Sequence, residues 1–264
     1  MTESRIARRF AERGGEGRAA LIPYVTCGFP ESGTTGPLLE ALADAGADVI
    51  ELGIPFSDPL ADGPTIQRSS YAALRNGTTV RSTLDVLRGF RRRRETPVVL
   101  FTYLNPVFRF GLEAFCHQAV TAGADGLLLT DLPAGCDPEA EDAVEAAGLD
   151  LIRLLAPTTP RDRIPAIASR ARGFLYYISR TGVTGARREL RAELGREVGA
   201  LRESTDLPIA VGFGISTPQQ AGAVAAVADG VVVGSALVRR LEDGGIDGAA
   251  AFLRELREGM DEGR

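Results

Sequence analysis

The stretch Ala45-Gly46-Ala47-Asp48-Val49-Ile50-Glu51-Leu52-Gly53 contains the unit from which most of the chain is built. Gly46 follows an Ala/Leu-rich amphipathic segment, and a glycine in that place favours the left-handed backbone that ends a helix. Residues 49–53 are apolar apart from Glu51, which is typical of a strand buried on both faces of a parallel sheet. The stretch therefore predicts a helix end followed at once by a buried strand.

The same unit recurs along the chain as a weak internal repeat. Related stretches are Ala122-Gly123-Ala124-Asp125, Ala147-Gly148-Leu149-Asp150 and the variant Val227-Ala228-Asp229-Gly230. Eight apolar runs are predicted as strands, and the segments between them are long enough for crossover helices. The runs are Leu21–Thr26, Val49–Gly53, Val98–Tyr103, Gly126–Thr130, Asp150–Leu155, Phe174–Ile178, Pro208–Gly212 and Gly230–Val233.

Eight βα units that close on themselves predict an α/β fold, a single (β/α)8 or TIM barrel over residues 1–264. Extra helices are expected in the charged segment Met1–Gly17 and in the loop segment Pro64–Arg75. A doubly wound open sheet is the alternative, although its usual GxGxxG phosphate motif is absent. The arginine run Arg91–Arg94 is expected to be the solvated end of a helix.

Composition narrows the classes of function. The chain has 30 basic and 35 acidic residues and a net charge of −5, which gives no reason to expect nucleic acid or an anionic membrane as a partner. A single histidine, His117, and three cysteines without CxxC spacing argue against a metal site. The cysteines are typical of a reduced cytosolic protein, and no run approaches 18 apolar residues, so a cytoplasmic protein is expected.

Two carboxylates near the second predicted strand are candidates for acid/base chemistry. Glu51 lies in the apolar run itself, and Asp62 lies in the Pro/Gly-rich loop that follows. A carboxylate in a buried strand is costly unless it has a function, and a second one on the adjoining loop could reach the same cavity. The pair predicts a site in which two environments hold the two pKa values apart.

Glycines after the last two predicted strands are candidates for phosphate binding. Gly212-Phe213-Gly214-Ile215-Ser216 follows the seventh strand, and Gly234-Ser235-Ala236 follows the eighth and precedes a helix. Barrels commonly bind phosphate there with backbone N–H groups, and Gly185 could complete the cradle. The alternative is that these are ordinary turn glycines.

Several aromatic side chains lie within strands or near strand ends. Tyr176 could point its hydroxyl into the barrel, while the others could form an aromatic substrate pocket or simply pack in the core. These others are Tyr24, Phe101, Tyr103 and Phe213. Asn105 and Asp131, just past the third and fourth strands, are expected to orient loops.

Six motifs resemble, in order, those of the tryptophan synthase α subunit family. They are Pro23–Thr26 (PYVT), Glu51–Gln67 (ELGIPFSDPLADGPTIQ), Tyr103–Pro106 (YLNP), Ser179–Gly185 (SRTGVTG), Gly212–Ser216 (GFGIS) and Gly234-Ser235. The stretch ELGIPFSDPLADGP is highly specific to that family. The resemblance implies a (β/α)8 barrel that cleaves indole-3-glycerol phosphate to indole and glyceraldehyde 3-phosphate by a retro-aldol reaction, without a cofactor.

The resemblance also implies roles for individual residues. Glu51 would protonate the indole carbon as the C–C bond breaks, and Asp62 would hold the indole N–H and stabilise the indolenine cation. Tyr176 would lie near Glu51 and the substrate glycerol. Thr184 would belong, with Arg180, to a lid that closes onto Asp62. The implied phosphate ligands are Gly185, Gly214, Gly234 and Ser235, and the implied indole-pocket residues are Tyr24 and Phe101.

A partner is implied as well. Pro55 and Asp58 match the surface that meets a β subunit, a separate pyridoxal-phosphate enzyme that receives indole through a tunnel in an α2β2 complex. A stand-alone lyase that releases free indole is an open alternative. A catalytically idle barrel that only activates a partner is another, although the presence of both Glu51 and Asp62 argues against it.

Overall fold

The computed structural model describes residues 4–179, 187–212 and 214–262, without the side chains of residues 187–191. Eight parallel strands form a closed barrel in which each strand pairs with the next and the eighth pairs with the first. The strands are β1 (Ala20–Thr26), β2 (Ile50–Gly53), β3 (Val98–Thr102), β4 (Gly126–Leu129), β5 (Asp150–Leu155), β6 (Leu175–Ile178), β7 (Ile209–Gly212) and β8 (Gly230–Val233). The predicted (β/α)8 barrel is confirmed.

Helices connect the strands on the outside of the barrel. They are α1 (Arg5–Gly15), α2 (Thr35–Asp44), α3 (Pro64–Arg75), α4 (Val80–Arg91), α5 (Leu104–Phe110), α6 (Leu112–Ala122), α7 (Pro138–Ala146), α8 (Ile164–Ser169), α9 (Arg187–Arg202), α10 (Pro218–Ala225) and α11 (Ser235–Glu262), with a 3-10 turn at Arg161–Arg163. The expected extra helices are α1 and α3, and α11 is interrupted at Gly245, where φ is 63°.

The repeated glycines end helices as predicted. Gly46, Gly123 and Gly148 have φ values of 98°, 95° and 83°, which few residues with a side chain adopt. After each glycine the chain turns into the next strand. The turn from helix to strand is therefore set by the local sequence at these three places.

The barrel interior is packed at one end and opens toward the other. Side chains of the barrel wall and of α1 form one buried cluster, and Phe10 of α1 packs against Phe174 with ring centroids 5.3 Å apart. Ile6 and Phe10 thus close the amino-terminal end of the lumen. Phe101, Leu154 and Tyr176 cover this cluster from the other end and are only partly buried. The carboxyl-terminal ends of the strands are therefore where a substrate could enter.

The arginine run lies at the end of α4, as expected, but the expected solvated position is wrong for Arg91. The Arg91 side chain is 11% exposed and donates to the carbonyl of Gly123 and to the carboxylate of Asp125. Arg94 forms ion pairs with Glu40 and Asp44. Folding brings acceptors from α2 and from the α6–β4 connection against the end of α4, and the local run of charge gave no sign of them.

No helix in the described part of the chain combines the length and the apolar character needed to cross a membrane. His117 is exposed on α6. The three cysteines are free, with Cys27 and Cys116 buried and Cys136 exposed.

Candidate active site

Glu51 is a buried carboxyl group in the middle of β2. It lies level with Tyr24 of β1 and Val99 of β3, and it is 1% exposed. Its Oε1 atom has no hydrogen-bond partner among the described residues. Burial raises the pKa of Glu51 to about 8, because no cation or donor among the described residues compensates the lost hydration of the charged form. Glu51 therefore carries a proton at neutral pH.

Asp62 lies in the loop between β2 and α3, which begins against the barrel and ends against α3. The N–H of Ile54 donates to the carbonyl of Phe101 at 2.9 Å, and the amide of Gln67 donates to the carbonyl of Asp62 at 2.9 Å. Burial raises the pKa of Asp62 to about 6, and hydrogen bonding with the Tyr103 hydroxyl acts in the opposite direction. Asp62 is therefore ionised at neutral pH.

Two tyrosines tie these carboxyl groups to one region of the barrel. Burial raises the pKa of Tyr176, and the charges of Glu51 and Asp62 raise it further. Burial and the same two carboxyl groups raise the pKa of Tyr24. The ring of Tyr24 also meets that of Phe101 edge-on, with centroids 5.1 Å apart. The structure thus brings all five predicted residues together at the carboxyl-terminal end of the lumen.

Two strand-end glycines make room for these tyrosines. A Cβ atom on Gly53 would lie 2.3 Å from the hydroxyl of Tyr24, and one on Gly212 would lie 2.4 Å from the hydroxyl of Tyr176. Neither distance is possible for real atoms, so any larger residue would displace a tyrosine. This role of the two glycines was not among the predictions from the sequence. The available signal was a glycine at the end of a buried strand, where a side chain would otherwise fill the lumen.

The candidate phosphate site lies at the ends of β7 and β8. Gly212 is level with Val232, so Gly214 and Gly234 follow neighbouring strands at the same end of the barrel. Gly214 has a φ of 76°, and α11 begins at Ser235. The first N–H groups of a helix have no carbonyl partner within it and favour an anion. Phe213 and three further residues with expected roles, Arg180, Thr184 and Gly185, lie outside the described residues.

Residues after β3 and β4 hold the loops beside the site. Asp131 accepts a hydrogen bond from the N–H of Leu104 at 2.7 Å, which fixes the start of α5 as expected of a loop-orienting residue. Asn105 is exposed. Tyr103, expected in an aromatic pocket, is buried and contacts the Asp62 loop, where the N–H of Ala61 donates to its hydroxyl.

The loop surface expected to face a partner is only partly as predicted. Pro55 is buried by the chain itself, so its placement on an exposed surface is corrected. Asp58 is exposed, and Leu60 is 90% exposed, the highest value among the large apolar side chains of the described residues. Buried and exposed residues alternate along this loop, with Pro55 and Pro59 buried and the two residues between Phe56 and Pro59 exposed. Burial of this kind depends on tertiary packing and is not visible in the sequence motif.

No group of three or more His, Cys, Asp or Glu side chains within the described ranges is arranged to hold a metal ion. The described residues at this end of the barrel include two carboxyl groups with raised pKa values, two tyrosines and backbone N–H groups.

Comparison with known proteins places this arrangement in a family. The family model described as tryptophan synthase alpha chain matches residues 10–262. The tryptophan synthase alpha chain of Geobacter sulfurreducens is 52% identical over 239 residues, which is 90% of each chain. That of Caulobacter sp. strain K31 is 49% identical over 256 residues, which is 97% of this chain and 91% of the relative.

Solved structures support the same family assignment. The crystal structure of tryptophan synthase subunit alpha from Legionella pneumophila superposes with a TM-score of 0.91 at 38% identity, covering 99% of this chain and 100% of that one. A chain of aminoacrylate-bound tryptophan synthase from M. tuberculosis gives 0.89 at 36% identity, covering 98% and 100%. The chain therefore belongs to the tryptophan synthase alpha chain family, whose reaction is the lyase cleavage of indole-3-glycerol phosphate.

Proposed function

We propose that Glu51 and Asp62 carry out the retro-aldol cleavage of indole-3-glycerol phosphate in this chain. The observation that supports this most directly is the buried Glu51 carboxyl, whose Oε1 lacks a hydrogen-bond partner among the described residues. Such a group costs stability, and its raised pKa suits a proton donor near neutral pH. Asp62, ionised at the same pH, supplies the opposite charge state within one site.

The chemistry follows from these two protonation states. Glu51 gives its proton to C3 of the indole ring, which creates a cationic indolenine whose N–H is held by the carboxylate of Asp62. The bond between C3 and the glycerol carbon then breaks, and its electron pair restores the aromatic indole. The hydroxyl on the glycerol carbon becomes the aldehyde of glyceraldehyde 3-phosphate, and its proton returns to Glu51. Tyr176, whose pKa is raised by burial and by the charge of Glu51, is assigned in this proposal to contacts with the glycerol hydroxyls.

The two pKa values define a working range. Asp62 must be ionised and Glu51 protonated. Both conditions hold when the pH lies between the pKa of Asp62, about 6, and that of Glu51, about 8. A bell-shaped dependence of kcat on pH with its maximum between these values is expected.

The remaining substrate contacts are part of the same proposal. Tyr24 and Phe101 line the pocket for the indole ring, together with Phe213, and main-chain N–H groups at Gly214, Gly234 and Ser235 hold the phosphate. Thr184 and Gly185 take their proposed roles from the resemblance to the family. Thr184 belongs to a lid over Asp62, and Gly185 belongs to the phosphate cradle.

We also propose that the chain works with a β subunit, a pyridoxal-phosphate enzyme, in an α2β2 complex. Asp58 and Leu60 form the exposed face of the loop that carries Asp62. A leucine so exposed at the rim of an active site fits a surface that a partner covers, and indole passed directly between subunits would not diffuse away. Free cysteines fit a reducing compartment, and a cytoplasmic location is proposed.

The test compares Glu51→Gln and Asp62→Asn with Glu255→Gln, an exposed position on α11. Indole release from indole-3-glycerol phosphate should fall by ~10²–10⁴-fold in Glu51→Gln. Asp62→Asn should be severely impaired but can keep some activity, because an amide oxygen still accepts the indole N–H. Glu255→Gln should match the parent. Near-normal indole release by Glu51→Gln would refute the assignment.

A second arm of the same assay adds the β subunit. Activation by at least ~10-fold, or about 1.4 kcal/mol of barrier, is expected. Leu60→Ser and Asp58→Ala should reduce the activation more than the basal rate, whereas Tyr71→Ser, at an exposed apolar position on α3, should leave it unchanged. Full activity of the isolated chain, unaffected by a β subunit, would favour the stand-alone lyase.

A further inference from the structure

Tyr103 connects the end of β3 to the loop that carries Asp62. It immediately follows β3 and is 5% exposed. Its hydroxyl accepts a hydrogen bond from the N–H of Ala61 at 3.0 Å, and its ring packs against Phe56 with centroids 5.2 Å apart. One side chain of the barrel therefore contacts the loop near its beginning and next to Asp62 itself.

The direction of hydrogen bonding at Tyr103 matters for Asp62. Because the phenolic oxygen accepts from the N–H of Ala61, the phenolic proton is available to the Asp62 carboxylate. Burial and the charge of Asp62 raise the pKa of Tyr103 to about 12, so Tyr103 keeps this proton at neutral pH.

Other groups around Asp62 act differently. Glu51 of β2, Tyr24 of β1 and Tyr176 of β6 share its end of the lumen, and none of the three has a charge that would stabilise a carboxylate. Gln67 holds the loop from α3 by donating to the backbone carbonyls of Asp62 and Pro59, at 2.9 Å and 3.3 Å. Of the described side chains, Tyr103 is the one whose hydrogen bonding favours the ionised form of Asp62.

We infer that Tyr103 is a positioning residue for Asp62: it fixes the loop through the N–H of Ala61 and orients the carboxylate toward the indole N–H of the substrate. Gln67 fixes the backbone of the loop, and Tyr103 fixes the functional group. The inference rests on the proposed role of Asp62. A carboxylate that is misplaced or protonated stabilises the indolenine cation poorly, so the rate of cleavage should depend on this hydroxyl.

The test is Tyr103→Phe, which removes the hydroxyl and keeps the ring against Phe56. The kcat for indole release should fall by ~10–100-fold, because a misplaced catalytic group costs this much, and KM should change far less. The acidic limb of the kcat profile should move to higher pH, since Asp62 loses a donor to its charged form, while the alkaline limb set by Glu51 stays in place. Tyr71→Phe, an exposed tyrosine on α3, is the matched control and should leave the profile unchanged.

Asp62→Asn separates failure of this inference from failure of the proposed function. If Asp62→Asn is nearly inactive and Tyr103→Phe has the parent profile, or a lower kcat with both limbs unmoved, the positioning role is wrong and the role of Asp62 stands. If Asp62→Asn keeps normal activity, the role of Asp62 itself is wrong. Combining the two substitutions should add no further loss to that of Asp62→Asn, because both act through one carboxylate.

Discussion

Asp48 and Glu51 lie three residues apart in the chain, each is 1% exposed, and their surroundings are opposite. Asp48, at the amino-terminal end of the barrel, accepts hydrogen bonds from Arg13 at 2.6 Å, from the N–H of Leu21 at 2.8 Å and from Arg257. Glu51, toward the carboxyl-terminal end, has an oxygen without a partner among the described residues. Among the described residues, arginines pair with the carboxylate at the amino-terminal end and none pairs with Glu51.

The arrangement at Asp48 recurs around the amino-terminal end. Asp125 accepts from the N–H of Val98 at 2.8 Å and from Arg5 and Arg91, both at 2.7 Å. Asp229 accepts from the N–H of Ile209 at 2.9 Å and from Arg202 at 2.7 Å. Each aspartate thus satisfies the first free N–H groups of the neighbouring strand and neutralises an arginine, which ties outer segments to the barrel.

The difference teaches which carboxyl groups hold the fold and which do the chemistry. A buried carboxylate with an ion pair and backbone donors stabilises the folded state as long as all partners remain, and losing one is costly. A buried carboxyl without them weakens the folded state but gains a pKa suited to proton transfer. The two ends should therefore respond in opposite ways to the same substitution.

The largest effect on stability is expected from Asp48→Asn. The substitution keeps the shape of the side chain but removes the countercharge of Arg257, 11% exposed, and leaves Arg13, 17% exposed, with the exposed Glu16 in place of a buried carboxylate. The free energy of unfolding should fall by about 3 kcal/mol or more, measured by urea unfolding, while kcat of the folded protein stays near the parent value.

Asp85→Asn is the matched control for this prediction. Asp85 pairs with Arg88 on the exposed face of α4, where its side chain is 63% exposed, and removing such a surface pair should cost about 1 kcal/mol or less. Equal losses in the two variants would show that burial does not distinguish the amino-terminal carboxylates. A large loss of kcat in Asp48→Asn would show that the two ends are not independent.

A smaller and opposite effect is expected from Glu51→Gln. The folded-state pKa of about 8 lies above the ordinary value of 4.5, so ionisation of Glu51 lowers stability progressively as pH rises through this range. At pH 7 the penalty amounts to roughly 3 kcal/mol, and the variant is free of it. The parent should therefore lose stability relative to Glu51→Gln between about pH 5 and pH 8, as followed by Tm.

The amide that Glu51→Gln introduces is also buried, which lowers the stability of the variant by an amount that does not depend on pH. The informative quantity is therefore the change of the Tm difference with pH, and Glu255→Gln on the exposed face of α11 should show none. A difference that stays constant with pH would mean that Glu51 is ionised in the folded protein without penalty, and the contrast with Asp48 would disappear.

The strands of the barrel and the two carboxyl groups of the candidate site could be predicted from the sequence. All eight strands lie within one residue of their predicted limits, because strands buried on both faces are continuous apolar runs bounded by helix-ending glycines. Glu51 could be selected because a carboxylate in such a run is costly unless it has a function, and Asp62 because the loop that follows the run can reach the same cavity. These are properties of short segments, which one sequence displays directly.

The partners of the buried polar side chains could not be predicted, because they are distant in the chain. The aspartates of the Ala-Gly-Ala-Asp repeats were recognised only as strand starts, since nothing near Asp48 shows that Arg13 and Arg257 converge on it. Likewise the interpretation of Tyr103 as a pocket aromatic misses its contacts with a loop some forty residues earlier. Partners of buried polar groups are set by tertiary packing, and local pattern does not encode them.

The smallest effect is expected from Ser4→Ala at the amino-terminal end. The Ser4 hydroxyl caps α1 by accepting from the N–H of Ala7 at 3.1 Å, and it donates to Asp150 at 2.5 Å. Burial raises the pKa of Asp150, and the bond from Ser4 opposes this rise by favouring the charged form. Losing the cap should cost about 1 kcal/mol in urea unfolding.

Because Ser4 stabilises the ionised form of Asp150, this loss should be greatest at neutral pH and should shrink on acidification, when Asp150 takes up a proton. Ser169→Ala removes an exposed hydroxyl that bonds only within the turn at the end of α8, to Ala166, and should show no such dependence. Indole release should be unchanged in both variants, since α1 closes the lumen at the end remote from Glu51. A fall in kcat for Ser4→Ala at unchanged stability would mean that the capped helix transmits its position through the barrel, and that the division between a stabilising end and a reactive end is too simple.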